Sequence, residues 1–429
     1  MTPEIEFKSK EQIKAFQEEK LREQLQYISQ HSPFYKRLFA EKGIHIEHIQ
    51  CLEDLVQIPV TTKSDLQQFN NDFFCVNQVE LIDLASTSGT TGKPVNFGVT
   101  EHDLERLAYN EAISFACAGI TKNDVVQLMT TMDRRFMAGL AYFLGLRKLG
   151  ASVIRTGSGI PALQWESIIT NKPTYLIVVP SFLLKMISYA EINGINLNST
   201  SVKGAICIGE PLRNQDLTPS TLAKRINEKW DIKLYSTYAS TEMSTAFTEC
   251  EFQHGGHHHP ELIITEVLDE NNQPVKKGEI GELTITTLGV EGLPLVRFKT
   301  GDLVQIHSDS CSCGRNTYRV GPVLGRAQQM IKYKGTTLFP PAIDDVINHF
   351  DEITGHMIIL QTNEIGNDEV SVKIVSSNTT ENFLKRLKEQ FQAKIRVIPN
   401  IEFITPETLN NLVISTNSRK PKWVIDHRK

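Results

Sequence analysis

The spacing of apolar and polar positions predicts one long helix near the start of the chain, then a regular alternation of strands and helices. Residues 11–30 place Leu21, Leu25 and Ile28 on one helical face. Thr100 with Asp103 makes a capping-box start. Leu104, Leu107, Ala108, Ala112 and Phe115 follow at helical spacing, and Gly119 stops the run. Short apolar runs then occur at Val125–Met129, Ser152–Ile154, Tyr175–Val179, Ala205–Ile208 and Lys233–Tyr235. Helical patterns at 139–148, 161–170, 181–191 and 218–229 separate them. Strands alternating with helices predict βαβ units around a parallel sheet.

Near residue 260 the pattern changes. Glu261–Leu268, Gly281–Thr287 and Leu303–His307 read as strands, with turn signals at Asn271-Asn272-Gln273-Pro274 and Lys277-Gly278. This predicts an antiparallel β subdomain. From 328 a compact α+β unit is expected: a helix opening at Pro341, strands near His356–Leu360 and Val370–Val375, and a helix over 380–393. The fold class is therefore α/β. A large N-terminal domain over 1–327 has parallel sheet layers plus the antiparallel part, and a small α+β domain covers 328–429.

Composition narrows the function classes. The chain has 429 residues, is 40% hydrophobic and 22% charged, and carries a net charge of -5. That profile suits an enzyme-sized globular protein and disfavours a general nucleic-acid binder, which needs excess Lys and Arg to replace counterions. The first residues, MTPEIEFKSK, contain no apolar signal-peptide core. The greasiest stretch, Leu176–Ile187, is too short for a bilayer and is broken by Pro180, Ser181 and Lys185. A cytoplasmic location without membrane contact is expected. Seven unevenly spaced cysteines argue against a secreted disulfide framework. Cys51, Cys75, Cys117 and Cys207 lie in apolar settings, whereas Cys250, Cys311 and Cys313 fall near histidines.

The densest chemical signal is Ser86-Thr87-Ser88-Gly89-Thr90-Thr91-Gly92-Lys93-Pro94. Small hydroxyl residues and glycines let backbone N–H groups approach a polyphosphate, with one lysine as counter-charge. The loop is not a Walker-type P-loop, because only two residues separate its glycines and a proline follows the lysine. It resembles the signature of the adenylate-forming superfamily. Three further strings resemble motifs of that superfamily: Tyr238-Ala239-Ser240-Thr241-Glu242, Arg297-Phe298-Lys299-Thr300-Gly301-Asp302, and the hinge segment Gly325–Gly335. Ser418–Asp426 resembles its terminal lysine-bearing run, with Arg419, Pro421 and Trp423 as departures. Within the superfamily, Ser32-Pro33-Phe34-Tyr35, Ile58–Leu66 and Gly209-Glu210-Pro211-Leu212 make the chain similar to the phenylacetate–coenzyme A ligase family.

That resemblance implies an AMP-forming ligase that joins ATP and an aromatic or arylacetic acid into an acyl-adenylate, then forms the coenzyme A thioester after a rotation of the C-terminal domain. It implies that Ser86, Ser88, Gly89, Thr90, Thr91, Gly92 and Lys93 hold phosphates. Gly209, Glu210, Pro211, Tyr238, Ala239 and Ser240 would line the nucleotide, Thr241 would contact phosphate, and Glu242 would hold Mg²⁺, a hard cation suited to a carboxylate. Asp302 would accept the ribose hydroxyls, Arg326 would reach ribose or phosphate, Gln328 would be the hinge, and Lys332 and Gly335 would enter the site in the second conformation. Lys420 is the implied catalytic lysine, with Lys422 as its alternative; a mobile cation lowers the barrier to bringing carboxylate and phosphate together. Phe136 and Gly139 would border the acid, although Thr130–Gly139 departs from the aromatic, glycine-rich run of phenylacetate enzymes. Cys250, His257, Cys311 and Cys313 resemble a structural zinc site of some members, with His254, His258 or His259 as competing ligands. The expected partners are a carboxylic acid, free coenzyme A and a second copy in a homodimer. Two other readings are an enzyme that loads a carrier protein and a catalytically silent, zinc-containing ATP-binding protein.

Overall fold

The computed structural model describes residues 2–87, 95–333, 336–363, 367–413 and 423–428. These fall into two compact units: a larger one within 1–323, and a smaller one comprising Leu324–Lys429 with Gly301–Leu303.

The larger unit opens with a short 3₁₀ turn, Glu4–Phe7, and three helices: α1 (Lys10–His31), α2 (Pro33–Lys42) and α3 (Lys63–Phe73). Each helix starts on a side-chain cap, from Ser9, Ser32 and Thr62, which satisfies N–H groups that the first turn leaves unpaired. The α1 stripe is the one the pattern predicts: Leu21, Leu25 and Ile28 are buried with Tyr35 and with Ile263 and Ile285 from late in the chain. β1 (Asp83–Ser86) and β2 (Asn96–Val99) pair antiparallel.

The alternating segment follows as α4 (Glu101–Cys117), β3 (Val125–Leu128), α5 (Met137–Leu149), β4 (Ser152–Arg155), α6 (Pro161–Asn171), β5 (Tyr175–Val178), α7 (Pro180–Ile192), β6 (Gly204–Cys207), α8 (Thr221–Lys229) and β7 (Lys233–Ser240). The α8 pattern begins three residues later than the apolar spacing suggests, because Ser220 caps the helix after Pro219. β4-β3-β5-β6-β7 are neighbours in that order, all parallel. Chain direction therefore reverses between β3 and β5: the connection after β3 leads outward to β4, while that after β5 leads the other way to β6.

Beyond β7 come β8 (Thr245–Glu249), β9 (Gly256–His257), β10 (Ile263–Leu268), β11 (Ile280–Thr287), β12 (Phe298–His307) and β13 (Arg319–Val320). β7, β8, β9, β13 and β12 are hydrogen-bonded in sequence, each pair antiparallel, so the antiparallel strands are joined edge-on to the parallel ones. β10 and β11 complete the far side.

The smaller unit holds β14 (Gly325–Arg326), β15 (Ile331–Tyr333), β16 (Thr336–Leu338), α9 (Pro340–Ile347), β17 (Ile353–Thr362), β18 (Asp368–Ser376), α10 (Glu381–Ile395), β19 (Asn400–Phe403), α11 (Pro406–Val413) and β20 (Val424–Asp426). Its four-stranded sheet runs β19-β18-β17-β20. Phe383, Leu387 and Phe391 of α10 pack on Ile358, Val372 and Ile374 of that sheet. Among the described residues no helix is long and apolar enough to cross a membrane.

Candidate active site

In an open parallel sheet, ligands bind beyond the carboxyl ends of the strands, where neighbouring connections diverge. Here that crevice lies between the connections after β3 and β5, and most of the expected residues of the larger unit lie at the same ends of these strands. Thr130–Phe136 follow β3, Pro180 and Ser181 follow β5, Gly209 and Glu210 follow β6, and Thr241 and Glu242 follow β7. Gly139 sits in the first turn of α5 under the β3 loop. A Cβ there would overlap the Thr131 carbonyl, so only glycine lets the helix approach. Phe136, the residue before α5, is half-buried.

Gly209 has φ 79°, a left-handed conformation that frees the strand to turn, and both it and Pro211 are exposed. The Glu210 carboxylate accepts the Ser181 N–H at 2.8 Å and the Ser181 hydroxyl at 2.7 Å. It thus caps the positive N-terminus of α7. The motif containing Tyr238, Ala239 and Ser240 is not a loop after β7, because the strand runs through it and pairs it with β8. Thr241 and Glu242 form the tip of that hairpin. Arg106 holds the tip from below, donating to the carbonyls of Ser244 (2.6 Å), Leu262 (2.5 Å) and Leu288 (2.7 Å) and to the Thr245 hydroxyl (3.3 Å). Lys63, at the start of α3, sets its ammonium 3.5 Å from the Glu242 carboxylate. The backbone of Thr61 is bonded on both sides of Phe298. Lys63 falls inside the Ile58–Leu66 string with no role implied by it, and Arg106 carries no signal beyond being a polar residue on an apolar helix.

Ser86 and Thr87 are buried at the root of the phosphate-loop candidate. The Ser86 N–H donates to Arg135 of the β3 loop at 3.1 Å, and Thr87 and Val95 exchange hydrogen bonds of 3.0 and 3.1 Å that pinch the root shut. Ser88, Gly89, Thr90, Thr91, Gly92, Lys93, Gly335, Lys420 and Lys422 lie outside the described residues.

In the smaller unit, the β12–β14 ladder places Asp302 opposite Arg326, with Nε 3.4 Å from the carboxylate. Asp302 is in a strand rather than a turn. Arg297, from the same motif, is buried and bonds Glu266 and the carbonyls of Val56 and Ile58. Lys332 is exposed, and its backbone N–H donates to Asp368 at 2.7 Å.

Cys250, His257, Cys311 and Cys313 bring four donor atoms within 4.8 Å of one another. Cys250 Sγ is 3.6 Å from Cys311 Sγ, and His257 Nε2 is 3.4 Å from Cys313 Sγ. A tetrahedron with Zn–S of about 2.3 Å and Zn–N of about 2.0 Å has S···S and S···N edges of roughly 3.8 and 3.5 Å. The donor set therefore fits zinc in chemistry and spacing. Thr317 contacts His257 Nδ1 at 3.2 Å and orients the ring, as second-sphere partners of metal-bound histidines do. The competing histidines are engaged elsewhere or exposed. His258 contacts the Ile263 carbonyl, His259 joins Glu6 and Ser114, and His254 is exposed. Burial pushes the Cys313 thiol up, but its contacts with His257 and Arg315 outweigh this and bring it down to about 5.

Comparison with known proteins agrees with this geometry. The AMP-binding enzyme model matches residues 62–291 and the AMP-binding enzyme C-terminal domain model matches 335–428, so the chain belongs to the AMP-binding enzyme family and, within it, to the phenylacetate–coenzyme A ligases. The phenylacetate–coenzyme A ligase of Thermus thermophilus is 30% identical over 90% of this chain and 86% of its own length. That of Escherichia coli is 29% identical over 86% and 84%. A crystal structure of 2-hydroxyisobutyryl-CoA ligase in the postadenylation state with 2-HIB-AMP superposes with a TM-score of 0.86 at 26% identity, covering 99% of this chain and 91% of that one. The protein is an acid–thiol ligase: it performs ATP-dependent acyl-CoA ligation through an acyl-adenylate.

Proposed function

We propose that the acid is aromatic or arylacetic, phenylacetate or a close analogue, and that it enters the crevice between the β3 and β5 connections beside Phe136 and Gly139. The observation that carries this reading is the 30% identity to a phenylacetate–coenzyme A ligase over 90% of the chain. Ser86 to Lys93 would grip the ATP phosphates, Tyr238–Ser240 and Gly209–Pro211 would line the adenosine, and Asp302 with Arg326 would hold the ribose. Thr241 would bind the α-phosphate. Glu242 is a hard carboxylate donor that already stands beside a cation, Lys63, and it would hold Mg²⁺, which neutralises phosphate charge when bound. Lys420 would stabilise the charge developing as the acid attacks. A turn of the domain 328–429 about Gln328 would then bring Lys332 and Gly335 to the site for thioester formation. Cys250, His257, Cys311 and Cys313 would hold structural zinc, and the enzyme would act in the cytoplasm, as a homodimer, on free coenzyme A.

A second acid class has its own support. The loop after β3 carries exposed Asp133, Arg134 and Arg135 where an aromatic run would line an apolar pocket, and the solved relative with 2-HIB-AMP covers nearly the whole chain. A small hydroxylated or branched acid is that alternative. Pyrophosphate release measured against a panel of arylacetic, benzoic and short hydroxy acids, with and without coenzyme A, separates the two. Phenylacetate turned over at least about tenfold faster than 2-hydroxyisobutyrate supports the first reading, a difference of roughly 1.4 kcal/mol in barrier. The reverse order overturns it.

A further inference from the structure

Arg428 gathers five oxygen contacts at one point of the smaller unit. Nη1 donates to the Met330 carbonyl at 2.6 Å and to Asp368 at 2.9 Å. Nη2 donates to the Gln328 carbonyl at 3.2 Å and to Asp426 at 2.7 Å, and Nε donates to Asp426 at 2.9 Å. The side chain is only 13% exposed. Asp368 also accepts the N–H of Lys332, and Asp426 closes β20, which pairs with β17 at Leu360. One guanidinium therefore joins three things: the backbone of 328–330, the strand bearing Lys332, and the strand that follows the Lys420 segment.

We propose that Arg428 is a positioning residue that sets where the chain after Gln328 turns. The reasoning starts from which atoms are held. Gly325 and Arg326 are fixed by the β12–β14 ladder, whereas the Gln328 and Met330 carbonyls are fixed by Arg428. A carbonyl oxygen lies downstream of its residue's φ and ψ bonds, so holding the Gln328 carbonyl puts everything after it on the body carrying β15, β18 and β20. The backbone left to rotate runs from the ψ of Arg326 to the ψ of Gln328, with Ala327 in the middle. Hinges of this kind work when a few bonds absorb the whole change and the flanks stay stiff. Without the bracket, motion spreads over 327–332, and Lys332 no longer keeps its place relative to β18 and β20. A guanidinium suits this task because its planar fork serves two carbonyls and two carboxylates at once, and a lysine cannot.

The proposal rests on the two-step ligase reading, and the test separates their failures. Arg428→Ala, Arg428→Lys and Asp368→Asn would be compared with the parent in single-turnover pyrophosphate release and in steady-state thioester formation. Hydrogen exchange at 328–333 would be followed in the same proteins. The expected result for Arg428→Ala is a pyrophosphate burst within about twofold of the parent and thioester turnover lower by about tenfold or more, since conformational steps limit turnover in many such enzymes. Amide exchange of Lys332 should be faster, with Arg428→Lys and Asp368→Asn intermediate. Equal losses in both half-reactions with a lowered melting point, or unchanged exchange at 328–333, would overturn the hinge role. If the parent itself gives no acid-dependent pyrophosphate release, the ligase reading fails instead.

Discussion

Two short backbone segments that carry candidate site residues are each held by one arginine, and the two are built on different principles. Arg106 holds the Thr241–Ser244 tip from a fully buried position, using carbonyls and one hydroxyl and no carboxylate. Burial pulls its pKa down to about 10, with Asp103 and Glu261 opposing. Arg428 holds the backbone of 328–330, and its charge is matched by Asp426 and Asp368, which raise its pKa. The first device cannot let go without taking a donor from the carbonyls of Ser244 and Leu288, whereas the Leu262 carbonyl keeps the Leu288 N–H. The second pairs its charge with two carboxylates that are themselves partly exposed. A nucleotide site needs both: a tip that stays where it is, and a hinge that turns.

The larger unit also holds the Cys/His cluster, and the largest expected effect tests whether rigidity there depends on metal. Stripping the protein with a chelator and restoring Zn²⁺ at a thousandfold excess over its Kd should recover about 4 kcal/mol, read from urea unfolding followed by a larger-unit tryptophan such as Trp165. Zinc content near zero after purification under metal-replete conditions, or no change on restoration, would remove the metal from the comparison. Next, Arg106→Ala should cost about 3 kcal/mol or more, because each buried carbonyl left unpaired costs roughly 1–3 kcal/mol. Arg428→Ala should cost no more than about 1 kcal/mol in urea unfolding followed by the smaller unit's Trp423, as partly solvated ion pairs do. Equal costs for the two arginines would erase the contrast.

The smallest effect appears in pH. Glu6 accepts 2.6 Å hydrogen bonds from both His259 and Arg315. Burial alone would raise its pKa, but these partners lower it below the usual 4.5. A group whose folded pKa is depressed stabilises the fold above its unfolded pKa, and that contribution fades as pH falls through the folded value. The parent should therefore lose stability as pH drops below about 4.5, more steeply than Glu6→Gln. Parallel stability profiles for the two from pH 6 to pH 3 would show that Glu6 is not linked in this way.

Much of the architecture was legible because burial on both faces leaves continuous apolar runs, and β5 and β6 are such runs. The loops at the strand ends were legible by resemblance, since glycine, hydroxyl and carboxylate residues stand there in a known order. Three features were not. α3 is largely polar (KSDLQQFNNDF), so periodicity gave no helix, and only its Thr62–Asp65 capping box marks the start. Gly301-Asp302 reads locally as a turn, yet lies inside β12 because the strand's partners are set by distant residues. Arg428 meets residues 98 and 100 positions away, and one charge with no local pattern cannot announce such a partner. The zinc candidates were legible as a set. The histidine that lies beside the thiols is set by the β9 register, which turns His257 toward Cys313.

The link between Glu6 and Arg315, 309 positions apart, bears on how the chain is made. α1 buries its apolar stripe against Ile263 and Ile285, and Gln17 bonds carbonyls at Pro260 and Ile263. While a ribosome is still adding the first 260 residues, only α2 and the segment 46–57 are there to cover part of that stripe. The first helix made is thus among the last to be seated, and the nascent chain carries an exposed apolar face for most of its synthesis. At about 5–20 residues per second that interval lasts roughly 13 to 50 s, time in which a chaperone or a neighbouring chain meets the stripe before its own partners do.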